Sequence, residues 1–241
     1  MNTPHSSEAF ITRGSIKFLN VPHAAALVNE IFDEDCYSFD RIPPDTIVLD
    51  IGAFYGEFGI RCAVEKHCRV IAYEPSSENR TILELNRRLN DLKTENFVVS
   101  PLAIGTPGTR LFSHRSLHPA GSLLATEAAK HVAADIGTSS TYEVECVGIL
   151  GEIQKAKDSW GDLPVCVKMD CEGAEHEIFA NYADWIGQVS VIAMEWHNYD
   201  GDHFHSILAA QGFATHVEGG GPKPRPVWDP SIGAGLLFAV R

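Results

Sequence analysis

The chain has 241 residues, with 19 Lys and Arg against 32 Asp and Glu, giving a formal net charge of −13. That length suits one large domain or two small ones, and a domain of this size buries roughly 70–75% of its unfolded surface without disulfides or a structural metal. The 44% apolar content excludes a disordered chain, and the negative charge argues against a nucleic-acid groove or an anionic membrane surface.

In chain order, Met1 to His5 shows neither the basic start nor the apolar stretch of a signal peptide. No apolar run reaches the roughly 18 residues of a membrane helix, so a soluble, cytoplasmic protein is expected. Residues 1–44 precede the first core strand and are read as a helical and extended cap with one amphipathic helix, about His23 to Phe32. Thr46 to Ile51 is a buried-strand run, and Gly56 to Lys66 continues as a helix. Arg69 to Tyr73 is a second strand; Ser76-Ser77-Glu78-Asn79 then caps a helix to about Leu89. Asn96 to Val99 is a third strand. Residues 105–148 hold extra strands at Arg110 to Phe112 and Thr141 to Val147. The weakly periodic stretch between them, 113–138, is read as part of a substrate-side insertion, because loops this long are usually functional.

Val165 to Met169 is the next strand, with a helix from about Ala174 to Tyr182. Ser190 to Met194 follows, then a helix near His203 to Gln211 capped by Asp202, and strands at Phe213 to Val217 and Gly235 to Val240. Continuous apolar strands alternating with helices predict an α/β domain over 45–241, its parallel sheet covered on both faces. The last two strands, joined by a Gly- and Pro-rich loop without a helix, are expected to be antiparallel. Six cysteines, at 36, 62, 68, 146, 166 and 171, form no C-x-x-C pair, so reduced and mostly buried thiols are expected.

Asp50-Ile51-Gly52-Ala53-Phe54-Tyr55-Gly56 joins the first strand to its helix, where open α/β sheets bind ligands. The second glycine of a dinucleotide fingerprint falls at Phe54, whose side chain blocks a pyrophosphate, which disfavours an NAD-dependent oxidoreductase. No Gly-Lys-Ser/Thr follows, so a P-loop is absent. The loop leaves room for a smaller polar tail, and Asp50 can receive an ammonium. Glu74 ends the second strand, where an acid accepts both hydroxyls of a ribose. A nucleoside with no phosphate but a charged amino-acid tail fits both features, and S-adenosyl-L-methionine is that molecule.

Lys168, Asp170, Glu172, Gly173 and Glu175 then spell K-x-D-x-E-G-x-E at the end of the fourth core strand. With the D-x-G-x-x-x-G loop, this resembles the FkbM-type methyltransferase family. Tyr73-Glu74-Pro75, Leu102 to Gly105 and Ala209 to Phe213 agree, so the resemblance runs over about residues 28 to 217. It implies a class I, Rossmann-like fold with a mostly parallel seven-stranded sheet and an antiparallel last strand. It also implies S-adenosyl-L-methionine as cofactor and O-methylation of a hydroxyl or carboxylate in a small metabolite such as a sugar, polyketide or other secondary product. The cofactor residues are then Asp50, Gly52, Ala53, Phe54, Tyr55, Gly56, Glu74, Pro75, Asp170 and Ala103, the last leaving room for adenine. A protein that binds the cofactor without turnover is the alternative.

Methyl transfer to oxygen is an in-line displacement, so alignment and charge placement supply most of the acceleration. Asp170 and Glu172 are expected beside the reacting methyl. His197 is the expected general base because its ordinary pKa lies near the working pH. Lys168 would orient an acid or the acceptor. Asp170, Glu172, Glu195 and His197, or His197, His203 and His205 with Asp200 and Asp202, have ligand chemistry but no recognised metal spacing, and no metal is expected. Phe54, Tyr55, Trp196 and Tyr199 are candidates for walls of the adenine or acceptor site. The expected partner is a small-molecule acceptor, not a nucleic acid or a membrane, and the oligomeric state is left open, a homodimer included.

Overall fold

A short hairpin, β1 (Phe10–Arg13) and β2 (Ile16–Leu19), opens the chain in this computed structural model, which describes residues 9–115, 121–123, 139–197, 201–218 and 234–241. The extended part of the expected helical and extended cap is this hairpin, which turns at Gly14, whose φ of +58° suits glycine. α1 (Ala24–Phe32) buries Ala24, Val28 and Ile31, spaced along one helical face. With Ile16, Phe18, Tyr37, Phe39 and Ile42, Val28 and Ile31 join the core on one face of the main sheet.

β3 (Ile47–Ile51) shows the two-residue alternation that organises the rest. Ile47, Leu49 and Ile51 enter one core, while Val48 enters the other. α2 (Glu57–Lys66), β4 (Arg69–Tyr73), α3 (Ser77–Leu89) and β5 (Phe97–Ser100) follow as expected. Ser76 caps α3, its Oγ accepting the Asn79 amide at 3.3 Å.

β6 (Ala103–Ile104), β7 (Gly108–Arg115), β8 (Gly121–Leu123) and β9 (Ser139–Val147) make a second, four-stranded sheet in the order β6-β9-β7-β8. Most of the weakly periodic 113–138 stretch lies outside the described residues. α4 (Ile149–Trp160) was not anticipated, although Ile149, Ile153 and Ala156 carry a helical spacing between Gly148 and Gly161. β10 (Val165–Met169) leads to α5 (Glu175–Phe179) and α6 (Tyr182–Trp185), two short helices where one was expected. The break falls at Asn181, whose φ of −118° and ψ of 37° leave the helical region. β11 (Val191–His197), α7 (Gly201–Ala210), β12 (Ala214–Glu218) and β13 (Ala234–Val240) complete the chain. Since α7 begins at Gly201, Asp202 lies in its first turn instead of capping it.

The main sheet has seven strands in the order β12-β13-β11-β10-β3-β4-β5. β11, β10, β3, β4 and β5 run parallel, and β13 is antiparallel to both β11 and β12. This is the expected α/β, Rossmann-like arrangement. Strand order reverses between β3 and β10, which opens a crevice beyond their carboxyl ends. All six cysteines are unpaired, with Cys36 and Cys171 half-buried and the others buried.

Candidate active site

At the crevice, Gly52 has φ +74°, and a Cβ there would lie 1.8 Å from the Asp170 carbonyl oxygen. The loop after β3 therefore presses on the end of β10 at a contact only glycine permits. The Gly52 and Ala53 amides both donate to the Tyr73 carbonyl at 3.1 Å, closing the loop over β4. Gly56 ends the loop as the N-cap of α2, with φ +88°.

Register then sets an ion pair, because Lys168 of β10 lies opposite Asp50 of β3. The Lys168 Nζ donates to the Gly52 carbonyl at 2.8 Å and lies 3.4 Å from Asp50 Oδ1 and 3.9 Å from Asp170 Oδ2. Asp50 is fully buried, and its Oδ2 accepts the Gly59 amide at 3.1 Å. Burial pushes the Asp50 carboxyl up, against the pull of the neighbouring ammonium. Burial alone would lower Lys168, but Asp50 and Asp170 hold it above its ordinary value. The ammonium that Asp50 receives is thus that of Lys168, a buried tie that holds the loop.

Glu74 stands at the other end of the crevice, 5% exposed. Its Oε2 accepts the Phe54 amide at 3.0 Å, while Oε1 accepts the Ser76 amide at 2.8 Å and Asn79 Nδ2 at 3.5 Å. Burial pushes its carboxyl up to about 7 despite these donors. A cavity of about 470 Å³ runs from Glu74, Pro75 and Asn79 past Ile51, Gly52 and Ala103 to Asp170, Cys171 and Ala174. Phe112 of β7 lines the same cavity, and His114 Nε2 lies 3.3 Å from Ser76 Oγ. β7 of the 105–148 insertion thus stands at the Glu74 end.

The aromatic candidates go elsewhere. Phe54 and Tyr55 stack at 3.8 Å and pack among Ile11, Ala24 and Leu27, so they do not line the cavity; Phe54 contributes its amide. Trp196 is fully buried against Gly235, where a Cβ would come within 2.5 Å of the ring. Tyr199 lies outside the described residues, with Asn198 and Asp200.

Beyond Asp170 the crevice becomes acidic. Lys168 and Ala193 are register partners, and strand alternation puts Glu195 and His197 on the same face of the sheet as Lys168. Glu172 adopts φ +55°, a strained value for a side-chain-bearing residue that turns the chain beside His197. His197 Nε2 lies 3.7 Å from Glu172 Oε2 and 3.8 Å from Glu195 Oε1, while Nδ1 lies 3.5 Å from Glu175 Oε1. Glu175, fully buried, also accepts the Cys171 amide at 2.9 Å and the Gly173 amide at 2.8 Å, pinning the turn that carries Glu172.

These acids change the ionisation expected of His197. Burial alone would lower it, but Glu175, Asp170 and Glu172 push it up to about 9. At neutral pH the ring is an imidazolium, in place of the free base that its ordinary pKa suggests. Glu195 is pushed up to about 7, by burial first and then by the charge of Asp170. Asp170, Glu172 and His197 offer ligand atoms within 4.8 Å of one another, the only such cation-holding group among the described residues. His205 instead contacts Thr215 at 2.8 Å, and His203 packs on Phe204.

Sequence reasoning missed Tyr37, whose hydroxyl donates to Asp170 Oδ2 at 2.9 Å from 133 residues away. Nothing local signals that contact. Glu195 carried a usable signal, its two-residue offset from His197 on a strand.

The FkbM methyltransferase domain matches residues 50–214, most of the chain, and the chain belongs to this family of S-adenosyl-L-methionine-dependent methyltransferases. It is 41% identical over 71 residues to the AMB antimetabolite synthetase AmbE of Pseudomonas aeruginosa. That stretch is 28% of this chain and only 3% of AmbE, so the chain spans a small part of that relative's length. Among solved structures it is similar to precorrin-6y C5,15-methyltransferase from Geobacter metallireducens, with 14% identity, 86% of each chain covered and a TM-score of 0.41. It is also similar to TrmK of M. capricolum in complex with S-adenosyl-homocysteine, with 9% identity, 87% of this chain and 67% of that one covered, and a TM-score of 0.44. The cavity suits the family's cofactor: it has a glycine on its lining, a buried acid at one end, and apolar walls from Ile51, Leu102, Ala103 and Phe112.

Proposed function

We propose that the chain methylates oxygen on a small metabolite, a hydroxyl in preference to a carboxylate. In this reading Gly52, Glu74, Pro75 and Ala103 hold the methyl donor, and the acceptor sits over Asp170, Glu172, Glu195 and His197. Asp170 carries the proposal, because it lines the donor cavity and also borders the acidic group, so methyl and proton acceptor meet at one residue. When bound, S-adenosyl-L-methionine supplies an electrophilic methyl on a sulfonium. The surrounding carboxylates stabilise that cation, and an anionic acceptor would be repelled by the same charges.

The chain's own residues then divide the work. A carboxylate poised near 7 suits removal of a hydroxyl proton at neutral pH, which assigns the base role to a Glu195 Oε atom. His197, as imidazolium 3.8 Å away, orients Glu195 and offsets part of the acidic charge. Tyr37 fixes Asp170, and Lys168 fixes the glycine loop from below. Ala53, Phe54, Tyr55, Gly56 and Asp50 shape that loop from behind the cavity.

The −13 net charge supports a neutral acceptor over a polynucleotide. The short match to an antimetabolite synthetase supports a secondary product, and six unpaired thiols support a cytoplasmic location.

The test is methyl transfer from labelled S-adenosyl-L-methionine to panels of hydroxyl acceptors, carboxylate acceptors and oligonucleotides. Transfer to hydroxyl compounds is expected; transfer confined to either of the other panels would overturn the proposal. In single turnover, Glu195→Gln should slow transfer about 100-fold, the size of a general-base contribution. An unchanged rate would remove Glu195 from that role.

A further inference from the structure

The assignment of Glu74 to the donor's ribose meets a shortage of acceptor sites. An ionised carboxylate offers about four lone-pair sites. In this structure Oε1 already receives the Ser76 amide and Asn79 Nδ2, and Oε2 receives the Phe54 amide. One site remains, on Oε2, and protonation of the carboxyl would not increase the number. A ribose presents two hydroxyls, so one of them needs another acceptor.

Asn79 supplies it. This residue is 3% exposed, lines the donor cavity beside Glu74, and its Oδ1 is buried with no hydrogen-bond partner among the described residues. A buried amide oxygen left without a donor is destabilising, so one on a residue that lines the ligand cavity points to the ligand. The amide orientation follows from its neighbour. Turning the group over would set Oδ1 against Glu74 Oε1, acceptor against acceptor, and lose the bond made by Nδ2. The position is also rigid: the Asn79 amide is capped by Ser76 Oγ in the first turn of α3.

We infer that Asn79 is a ribose-reading residue, whose Oδ1 accepts one of the donor's two ribose hydroxyls while Glu74 accepts the other. This rests on the placement of the donor at Gly52 and Glu74. It makes Asn79 a determinant of selectivity for ribose over deoxyribose, with its Nδ2 holding the carboxylate that reads the second hydroxyl.

Calorimetry with S-adenosylhomocysteine and its 2′-deoxy and 3′-deoxy analogues tests this in the wild type, Asn79→Ala and Glu74→Gln. Asn79→Ala should weaken S-adenosylhomocysteine about tenfold, the size of one lost hydrogen bond, and weaken one deoxy analogue equally. The other analogue, lacking the hydroxyl that Asn79 reads, should bind both proteins within about twofold, and Glu74→Gln should show the opposite selectivity. If Asn79→Ala leaves all three affinities unchanged, or lowers all three by one factor, the inference falls. If Glu74→Gln also leaves all three affinities unchanged, the donor placement falls with it, whereas losses confined to Glu74→Gln overturn the Asn79 role alone. Thermal melts of the free proteins accompany the titrations, and Asn79→Ser, which retains a small polar group, replaces Asn79→Ala if that variant does not fold.

Discussion

The two ends of the crevice are built from different materials. At the Glu74 end, backbone amides of Phe54 and Ser76 hold the acid, and its other partner, Asn79, is five residues away. At the His197 end, four carboxylates surround one ring, each approaching on a side chain, with Tyr37 arriving from a distant segment. An amide cradle is fixed once the loop folds, whereas a side-chain cluster can be altered one residue at a time.

The largest effect is expected at Gly52. Gly52→Val places a side chain onto the Asp170 carbonyl at a left-handed φ, and S-adenosylhomocysteine binding should become undetectable by calorimetry. Retained affinity would mean that the loop is not the cradle.

Lys168 joins the two ends, and its removal should be the largest purely structural loss. Lys168→Met leaves buried Asp50 without its counter-charge, which should cost about 3–5 kcal/mol in denaturant unfolding. Adding Asp50→Asn should recover part of it, and if the double variant is no better than the single, the pair is not the source.

The Glu74 end should also respond to pH. Its carboxyl is raised from the ordinary value of 4.5 to about 7, so the unfolded chain ionises first as pH rises. Its contribution to stability is therefore fully present below 4.5 and is lost as pH climbs through about 7. Donor affinity should run the other way, since ribose hydroxyls donate to the ionised form. S-adenosylhomocysteine should bind about tenfold more weakly at pH 6 than on the plateau above pH 8, and a flat profile for the wild type would remove Glu74 from ribose binding.

The smallest effect belongs to Tyr37. Tyr37→Phe keeps the packing against Phe58 and removes only the hydroxyl bond to Asp170. Turnover should fall by less than about tenfold with donor affinity within about twofold, and an equal loss in both would place Asp170 at the donor end instead.

The alternating strands and helices, the glycine loop, Glu74 and the K-x-D-x-E-G-x-E segment were all legible in the chain. Each is a local pattern of period, turn chemistry or spacing. α4 was legible in principle through Ile149, Ile153 and Ala156, and the hairpin at Gly14 through its turn. The direction of Phe54 and Tyr55 was not, because it depends on α1 and Ile11 covering them from the N-terminal segment.

Strand period and loop geometry are properties of neighbouring residues, so the sheet, the crevice and the kind of donor could be read along the chain. What each polar group does there came from the packing of distant segments. That packing gave Asp50 an ammonium from Lys168, used up most of the acceptor sites on Glu74, left Oδ1 of the cavity-lining Asn79 buried and unpaired, and pushed the His197 imidazole up with Glu195 beside it. The reason is physical: hydrogen-bond capacity and pKa depend on burial and on charges a few ångströms away, and those distances exist only once remote parts of the chain have packed together.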